Sequence, residues 1–244
     1  VKAFQNDDRS QVRTLVSRNP ANAERYRDRY SLQCSIETDA SKMLKQKDVD
    51  IVVVCTPHNV HTQYVVAAAK AGKHIIIEKP VALTPEDVLK QRQAVAKSKV
   101  KTIVSFVLHW NPLLITIDRL IEQGAFGNIF MVEVDYWHRI WNLKWYGSLE
   151  MSGTALMTAG CHAVDALRWF ARSPVEEVSA YQVRGGNPAD YPGTISINVK
   201  FKDGTIGRST TSFDARMPYR FNIGIYGTEG SLRNNELFAP KLFP

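Results

Sequence analysis

The stretch Asp50-Ile51-Val52-Val53-Val54-Cys55 decides the fold class. It is a continuous apolar run of strand length. Such a run suits a strand covered on both faces of a parallel sheet. Working outward, Val60 to Ala71 reads as a helix that stops at Gly72, and Lys73 to Ile77 as a second buried strand. Thr84-Pro85-Glu86-Asp87 caps a helix from Pro85 to Lys97, with proline in its first turn, and Lys101 to Val107 is a third strand. On the other side lie a short helix, Ser41 to Gln46, and a helical stretch, Ala21 to Tyr30. Asn19-Pro20 breaks that stretch from a helix over Arg9 to Arg18, capped by Asp7 and Asp8. Val1-Lys2-Ala3-Phe4 reads as an opening strand. Strand and helix thus alternate through residues 1–107, which predicts an α/β fold with a doubly wound parallel sheet. Ligands of such sheets bind beyond the carboxyl ends of the strands, here the loops after Cys55 and Ile77.

The second half changes character. Asn111 to Gln123 is helical, Ile129 to His138 is a strand with alternating faces, and Ala155 to Phe170 is a helix. Four strand-like runs follow: Val175 to Val183, Thr194 to Phe201, Thr205 to Thr211 and Arg220 to Tyr226. Lys202-Asp203-Gly204 is a hairpin turn. This pattern predicts an α+β domain with a mostly antiparallel sheet. The expected division is a domain of residues 1–108 and a domain of residues 109–244.

The chain has 244 residues, 44% hydrophobic and 23% charged, enough for a substantial core and unlike a disordered chain. No apolar run approaches the ~18 residues of a membrane helix, and the first residues lack the layout of a signal peptide. The net charge of +7 is spread along the chain. Its densest basic stretch, Arg25-Tyr26-Arg27-Asp28-Arg29, reads as a solvated helix face and not as a nucleic-acid site. A positive field also suits an anionic ligand such as a cofactor phosphate. Cys34, Cys55 and Cys161 are far apart and read as reduced, buried thiols, which points to the cytoplasm.

Three segments carry a resemblance: residues 50–61, ending Thr56-Pro57-His58-Asn59-Val60-His61; residues 71–80, ending Ile77-Glu78-Lys79-Pro80; and Gly153 to Asp165, which contains Cys161-His162-Ala163-Val164-Asp165. In order and spacing they resemble the glucose–fructose oxidoreductase / inositol dehydrogenase / MocA family of nicotinamide-dependent dehydrogenases. Gly124-Ala125-Phe126-Gly127 and Gly227-Thr228-Glu229-Gly230 resemble two lesser landmarks. The resemblance implies a Rossmann-like first domain and a second domain for substrate binding and oligomerisation. It also implies a glycine-rich turn for the pyrophosphate, yet no Gly-x-Gly-x-x-Gly occurs here and the first glycine is Gly72. The expectation is therefore a piece of a longer protein, lacking both ends.

Hydride exchange with an alcohol needs a base for the hydroxyl proton and a cation or donor for the developing alkoxide. The resemblance assigns Lys79 to the substrate hydroxyl and the nicotinamide ribose. Glu78 is expected to bond ribose or orient Lys79. His162 is the expected proton carrier, since imidazole titrates near neutrality. Asp165, three residues on, shares its helix face and could bind a substrate hydroxyl or tune the ring. Thr56, Pro57 and His61 are expected to line the nicotinamide side. Pro80 is expected to be structural.

Two positions depart from the family pattern. Thr158 stands where many members carry aspartate, four residues before the histidine. Asn6, ending the expected opening strand, stands where an acid often grips the adenosine ribose, which with nearby Arg9 leaves both NAD and NADP open as cofactor. His58 and His61 lack a third ligand of convincing spacing, so no metal is expected. Trp110, Trp137, Trp141, Trp145 and Tyr146 could stack on sugar faces or pack in a core.

The sequence thus points to an NAD(P)-dependent dehydrogenase acting on CH–OH groups. Its expected substrate is a sugar, cyclitol or related small polyhydroxy compound, and its expected state is a homo-oligomer, dimer or tetramer, without nucleic-acid or membrane partners. Two alternatives stay open: a dinucleotide-binding regulatory protein without turnover, and a nicotinamide-dependent glycosidase.

Overall fold

The computed structural model describes residues 1–139 and 144–243. The chain divides into two compact units. The first comprises Val1–Thr56, His61–Glu78 and Thr84–Val104; the second comprises Pro57–Val60, Lys79–Leu83 and Ser105–Pro244.

In the first unit the elements run α1 (Lys2–Gln5), β1 (Thr14–Val16), α2 (Pro20–Arg29), β2 (Ser35–Glu37), α3 (Ala40–Leu44), β3 (Ile51–Val54), α4 (His61–Lys70), β4 (His74–Ile77), α5 (Pro85–Ser98) and β5 (Thr102–Val104). Every ladder is parallel: β1 pairs with β2, and β4 lies between β3 and β5. The Rossmann-like alternation read from the sequence is present. Val65, Ala68 and Ala69 of α4 and Ala94 and Val95 of α5 pack with Val52, Val54, Ile75 and Ile77. That covers one face only. Ile51 and Val53 remain 47% and 44% exposed, so the expectation of a strand covered on both faces holds for half of β3.

The opening differs from expectation. Val1 to Phe4 is not a strand, because its backbone is satisfied locally: Phe4 and Gln5 N–H groups both donate to the Val1 carbonyl and start α1. The helix expected over Arg9 to Arg18 is also absent. Asp7 accepts both the Arg9 N–H and its guanidinium, and the Ser10 N–H donates to the Asp7 carbonyl, making a turn that does not propagate. Beyond it Val12, Thr14 and Val16 alternate as β-branched residues and Thr14–Val16 forms β1. Asn19-Pro20 starts a helix instead of ending one: Asn19 Oδ1 accepts the Ala21 N–H, and Pro20 occupies the first helical position of α2.

The second unit contains α6 (Pro112–Glu122), β6 (Ile129–Trp137), α7 (Leu149–Ser152), α8 (Cys161–Ala171), β7 (Val175–Val183), β8 (Thr194–Phe201), β9 (Ile206–Ser212), β10 (Arg220–Gly227), β11 (Ser231–Arg233) and β12 (Glu236–Phe238). The seven strands form one sheet in the order β12-β11-β10-β6-β9-β8-β7, antiparallel except between β6 and β9. Leu114 and Ile117 of α6 and Ala163, Leu167 and Phe170 of α8 pack on the apolar side of this sheet, with Val132, Val134, Ile197, Val199, Phe201 and Ile225.

The helix expected over Ala155 to Phe170 is divided. Leu156–Gly160 is a π turn and α8 begins at Cys161. Gly160 makes this possible, since a Cβ there would collide with Thr211 on β9. At the hairpin, Asp203 Oδ1 accepts the Thr205 N–H and Gly204 adopts φ +91°. The two lesser glycine landmarks dock on each other: the Glu229 N–H donates to the Phe126 carbonyl, which lies where a Cβ on Gly227 would stand.

Candidate active site

Lys79 leaves the end of β4 one residue after Glu78, through a cis peptide to Pro80. Its Nζ donates to the Thr158 carbonyl at 2.9 Å, in the π turn before α8. This ties the lysine to the segment that presents His162, the second residue of α8.

His162 is buried, at 7% exposure. Phe106 meets its ring edge-on with centroids 5.7 Å apart, and Tyr136 lies nearly parallel to it at 6.5 Å. Its Nδ1 has no hydrogen-bond partner among the described residues and no contact with solvent. Burial, and secondly the Lys79 charge, push the imidazole pKa down to about 4. At neutral pH the ring is uncharged beside an ammonium group.

This depression links stability to pH. Between about 6.5 and 4 the unfolded chain takes up a proton that folded His162 refuses, so stability falls as pH drops through that window. The expected loss is about 3 kcal/mol at full effect. Urea unfolding at pH 7 and pH 4, compared with His162→Gln, checks it: the variant should show a smaller loss.

Two further polar side chains stand near Lys79 and His162 and were not singled out from the sequence. Tyr136 is the penultimate residue of β6 and His138 follows the strand's end, so period-two reading of the run Ile129 to His138 places them together. The Lys79 charge lowers the His138 pKa after burial does, and His138 meets Tyr219 edge-on at 5.4 Å. Burial drives the Tyr136 phenol far above its usual range, so it stays protonated.

Thr158 is buried and its hydroxyl donates to the Ser152 carbonyl at 2.9 Å, away from the His162 ring nitrogens. Asp165 is engaged elsewhere: its Oδ2 lies 2.7 Å from His109 Nε2, and the His109 ring stacks on Trp169. Asp165 and Lys79 both act electrostatically on Cys161, whose thiol is pushed up to about 11 by burial and stays protonated. The expectation of three buried thiols fails at Cys55, which follows the end of β3 and is exposed, and holds only in part for Cys34 and Cys161, which are half-buried.

In the second unit, His58 Nδ1 lies 3.0 Å from the Ser152 carbonyl, and its ring meets Trp145 edge-on. Trp145 stacks on Tyr146 at 3.9 Å, Trp110 is 62% exposed, and Trp141 lies outside the described residues. Pro57 begins the turn that leads to His58.

In the first unit, Thr56 and Glu78 stand just beyond the carboxyl ends of β3 and β4. The Thr56 Oγ1 is buried without a partner among the described residues. His61 opens α4 and its Nε2 lies 3.0 Å from the Thr56 carbonyl. An unmet hydroxyl at a strand end fits the polar, hydrogen-bonding nicotinamide–ribose part of a dinucleotide. Asn6 does not stand at a strand end. It caps α1, its N–H donating to the Lys2 carbonyl, because residues 1–5 coil. The strand that does end there is β1, followed by Ser17, whose hydroxyl donates to Asn19, and by exposed Arg18.

Residues 1–106 match the sequence profile of the oxidoreductase family with an NAD-binding Rossmann fold, and residues 114–233 match the GFO/IDH/MocA C-terminal domain. The chain is 28% identical over 250 residues to levoglucosan dehydrogenase of Pseudarthrobacter phenanthrenivorans, covering 90% of this chain and 64% of that protein. It is 27% identical over 219 residues to inositol 2-dehydrogenase of Rhizobium meliloti, covering 87% of this chain and 64% of that protein. A structure of levoglucosan dehydrogenase in complex with NADH superposes with a TM-score of 0.85 at 25% identity, over 92% of this chain and 64% of that one. This chain therefore spans just under two thirds of the length of these relatives. With two profiles of one family following each other in order, the chain belongs to the GFO/IDH/MocA family of oxidoreductases.

Proposed function

We propose that this chain carries the reaction centre of an NAD- or NADP-dependent oxidoreductase acting on a CH–OH group of a sugar, cyclitol or related polyhydroxy compound. The observation that carries this reading is the donation of Lys79 Nζ to the Thr158 carbonyl, four residues before the buried imidazole of His162 on the same segment. The similarity to dehydrogenases named for levoglucosan and inositol supports the substrate class. The similarity to a structure solved with NADH supports the cofactor. Residues 1–108 form the dinucleotide-binding domain in this proposal, and residues 109–244 the substrate domain.

A bound nicotinamide supplies the hydride acceptor or donor. Lys79 Nζ donates to the carbinol oxygen and stabilises its negative charge as the C–H bond breaks. His162 takes the hydroxyl proton; its Nδ1 is sealed from solvent, so the exchange falls to Nε2. Asp165, through His109, fixes one side of α8 and offers a substrate hydroxyl its second oxygen. Thr56, Pro57, His61, Glu78 and Lys79 hold the nicotinamide end. Ser17 and Arg18 take over the adenosine-ribose position first assigned to Asn6, and with no acid there a 2′-phosphate is tolerated. Exposed Val178, Tyr181 and Val183 on β7 support a homo-oligomer. No helix among the described residues is long and apolar enough to cross a membrane, and a cytoplasmic setting suits three free thiols.

The test is NAD(P)H formation over a panel of aldoses, anhydrosugars, cyclitols, glycuronates and sugar phosphates. Turnover with at least one is expected. Dinucleotide binding with no turnover across the panel would overturn this reading and favour a regulatory role. The Thr158 hydroxyl, turned to Ser152 where a carboxylate would have served His162, favours that alternative.

A further inference from the structure

A polar cavity lies in the same unit as Lys79 and His162. It has a volume of about 230 Å³ and is walled by Arg139, Arg216, Asn187, Asp214, Phe213 and the backbone of Gly185, Gly186 and Pro188. At ~30 Å³ per water it has room for several water-sized groups, enough for one end of a sugar.

Its walls are pinned. Arg184 donates to the carbonyls of Ala189 and Asp190, and Asn187 Nδ2 donates to the Phe213 carbonyl, which closes the loop after β7 onto the end of β9. The Ser212 hydroxyl accepts the N–H groups of Asp214 and Ala215 and so shapes the turn that carries Arg216. A site built on such fixed backbone does not have to be ordered by its ligand.

Asp214 accepts from Thr194 Oγ1 at 2.6 Å and from the Asn187 N–H at 3.0 Å, and its carboxyl packs against Gly185 and Gly193. It is committed to holding the loop. Arg216 forms no ion pair among the described residues and is exposed. Arg216 thus brings to the cavity a guanidinium with no ion pair among the described residues, beside a carboxylate that is already engaged.

Neighbouring residues connect the cavity to the reaction centre. His138 is influenced by the Lys79 charge and donates its N–H to Ser212. Arg139 is the next residue and lines the cavity. Phe213 in the cavity wall packs in the cluster that Tyr136 borders, and Tyr136 lies against the His162 ring.

We propose that this cavity is an anion subsite, in which Arg139 and Arg216 bind a carboxylate or phosphate on the end of a polyhydroxy substrate remote from the reacting carbinol. Guanidinium groups suit both anions by two-pronged hydrogen bonding. The proposal rests on the reading of Lys79 and His162 as the reaction centre and narrows its substrate class to acidic or phosphorylated sugars.

The test is calorimetric binding of D-glucuronate, D-glucose 6-phosphate and D-glucose to the whole chain, without cofactor. At least one anion should bind ten-fold or more tighter than glucose, and which one does so distinguishes carboxylate from phosphate. Arg216→Ala and Arg139→Ala should each bring that anion close to glucose while leaving glucose affinity unchanged. Equal binding of all three probes, no binding of either anion, or undiminished anion binding in Arg216→Ala overturns the subsite. Anion preference with no NAD(P)H formed from any member of the panel would keep the subsite and remove the oxidoreductase reading. Hydride transfer without anion preference would do the reverse.

Discussion

Replacing Lys79 by methionine is expected to lower turnover on a polyhydroxy substrate at least ~100-fold, because losing one donor aimed at a developing oxyanion costs about 3 kcal/mol of barrier. Methionine keeps most of the bulk, so the loss follows from the missing charge. It also releases the part-buried donation to the Thr158 carbonyl, which should show as a drop in melting temperature. Two readouts separate chemistry from structure. Dinucleotide affinity should change far less than turnover. The His162 pKa should rise from about 4, since the Lys79 charge is one of the two causes that hold it down. An unchanged turnover would remove Lys79 from the reaction.

Thr158→Asp is expected to act in the other direction on the same ring. In the direction of alcohol oxidation the imidazole must be neutral to accept a proton, so the rate fails as pH falls through its pKa, here near 4. A carboxylate four residues earlier favours imidazolium, and an opposite charge within ~4–6 Å typically shifts a pKa by about one to three units. The acidic limb of the pH–rate profile should therefore move upward by roughly a unit or more. The substitution also removes the hydroxyl donor from the Ser152 carbonyl at a buried position, a loss of about 1–3 kcal/mol in stability. Thr158→Asn supplies the control: it can restore a donor to Ser152, adds no charge, and should leave the limb in place. A limb unmoved in Thr158→Asp, with the fold intact, would leave His162 without support as the base.

The runs of β3 and β4 were legible because their β-branched residues follow one another without interruption, and α5 because Thr84 and Pro85 mark its start. The opening was not. Val1 to Phe4 mixes Val and Phe with Lys and Ala and satisfies its backbone within one turn, and its pattern does not separate strand from helix. Asn19-Pro20 reads equally as a helix stop and as a helix cap with proline at the first position, and only the Asn19 side chain, turned to the Ala21 N–H, decides between them. Asn6 was misplaced as a consequence. At the site, Lys79 and His162 were found through short motifs. Tyr136 and His138 sit on a run whose alternation was visible but whose inward face was not. The Asp165–His109 contact joins residues 56 apart, beyond any local pattern. The Arg139–Arg216 cavity depends on three separated loops meeting, which no periodicity encodes.

The account stands or falls on hydride transfer. The measurement is incubation of the chain with NAD⁺ or NADP⁺ and the polyol that the panel selects, deuterated at its carbinol carbons, with the reduced cofactor weighed by mass spectrometry. The predicted result is reduced cofactor carrying one deuterium from the substrate, formed by the wild-type chain and nearly absent with Lys79→Met. Reduced cofactor without deuterium, or label transfer undiminished in Lys79→Met, would contradict it.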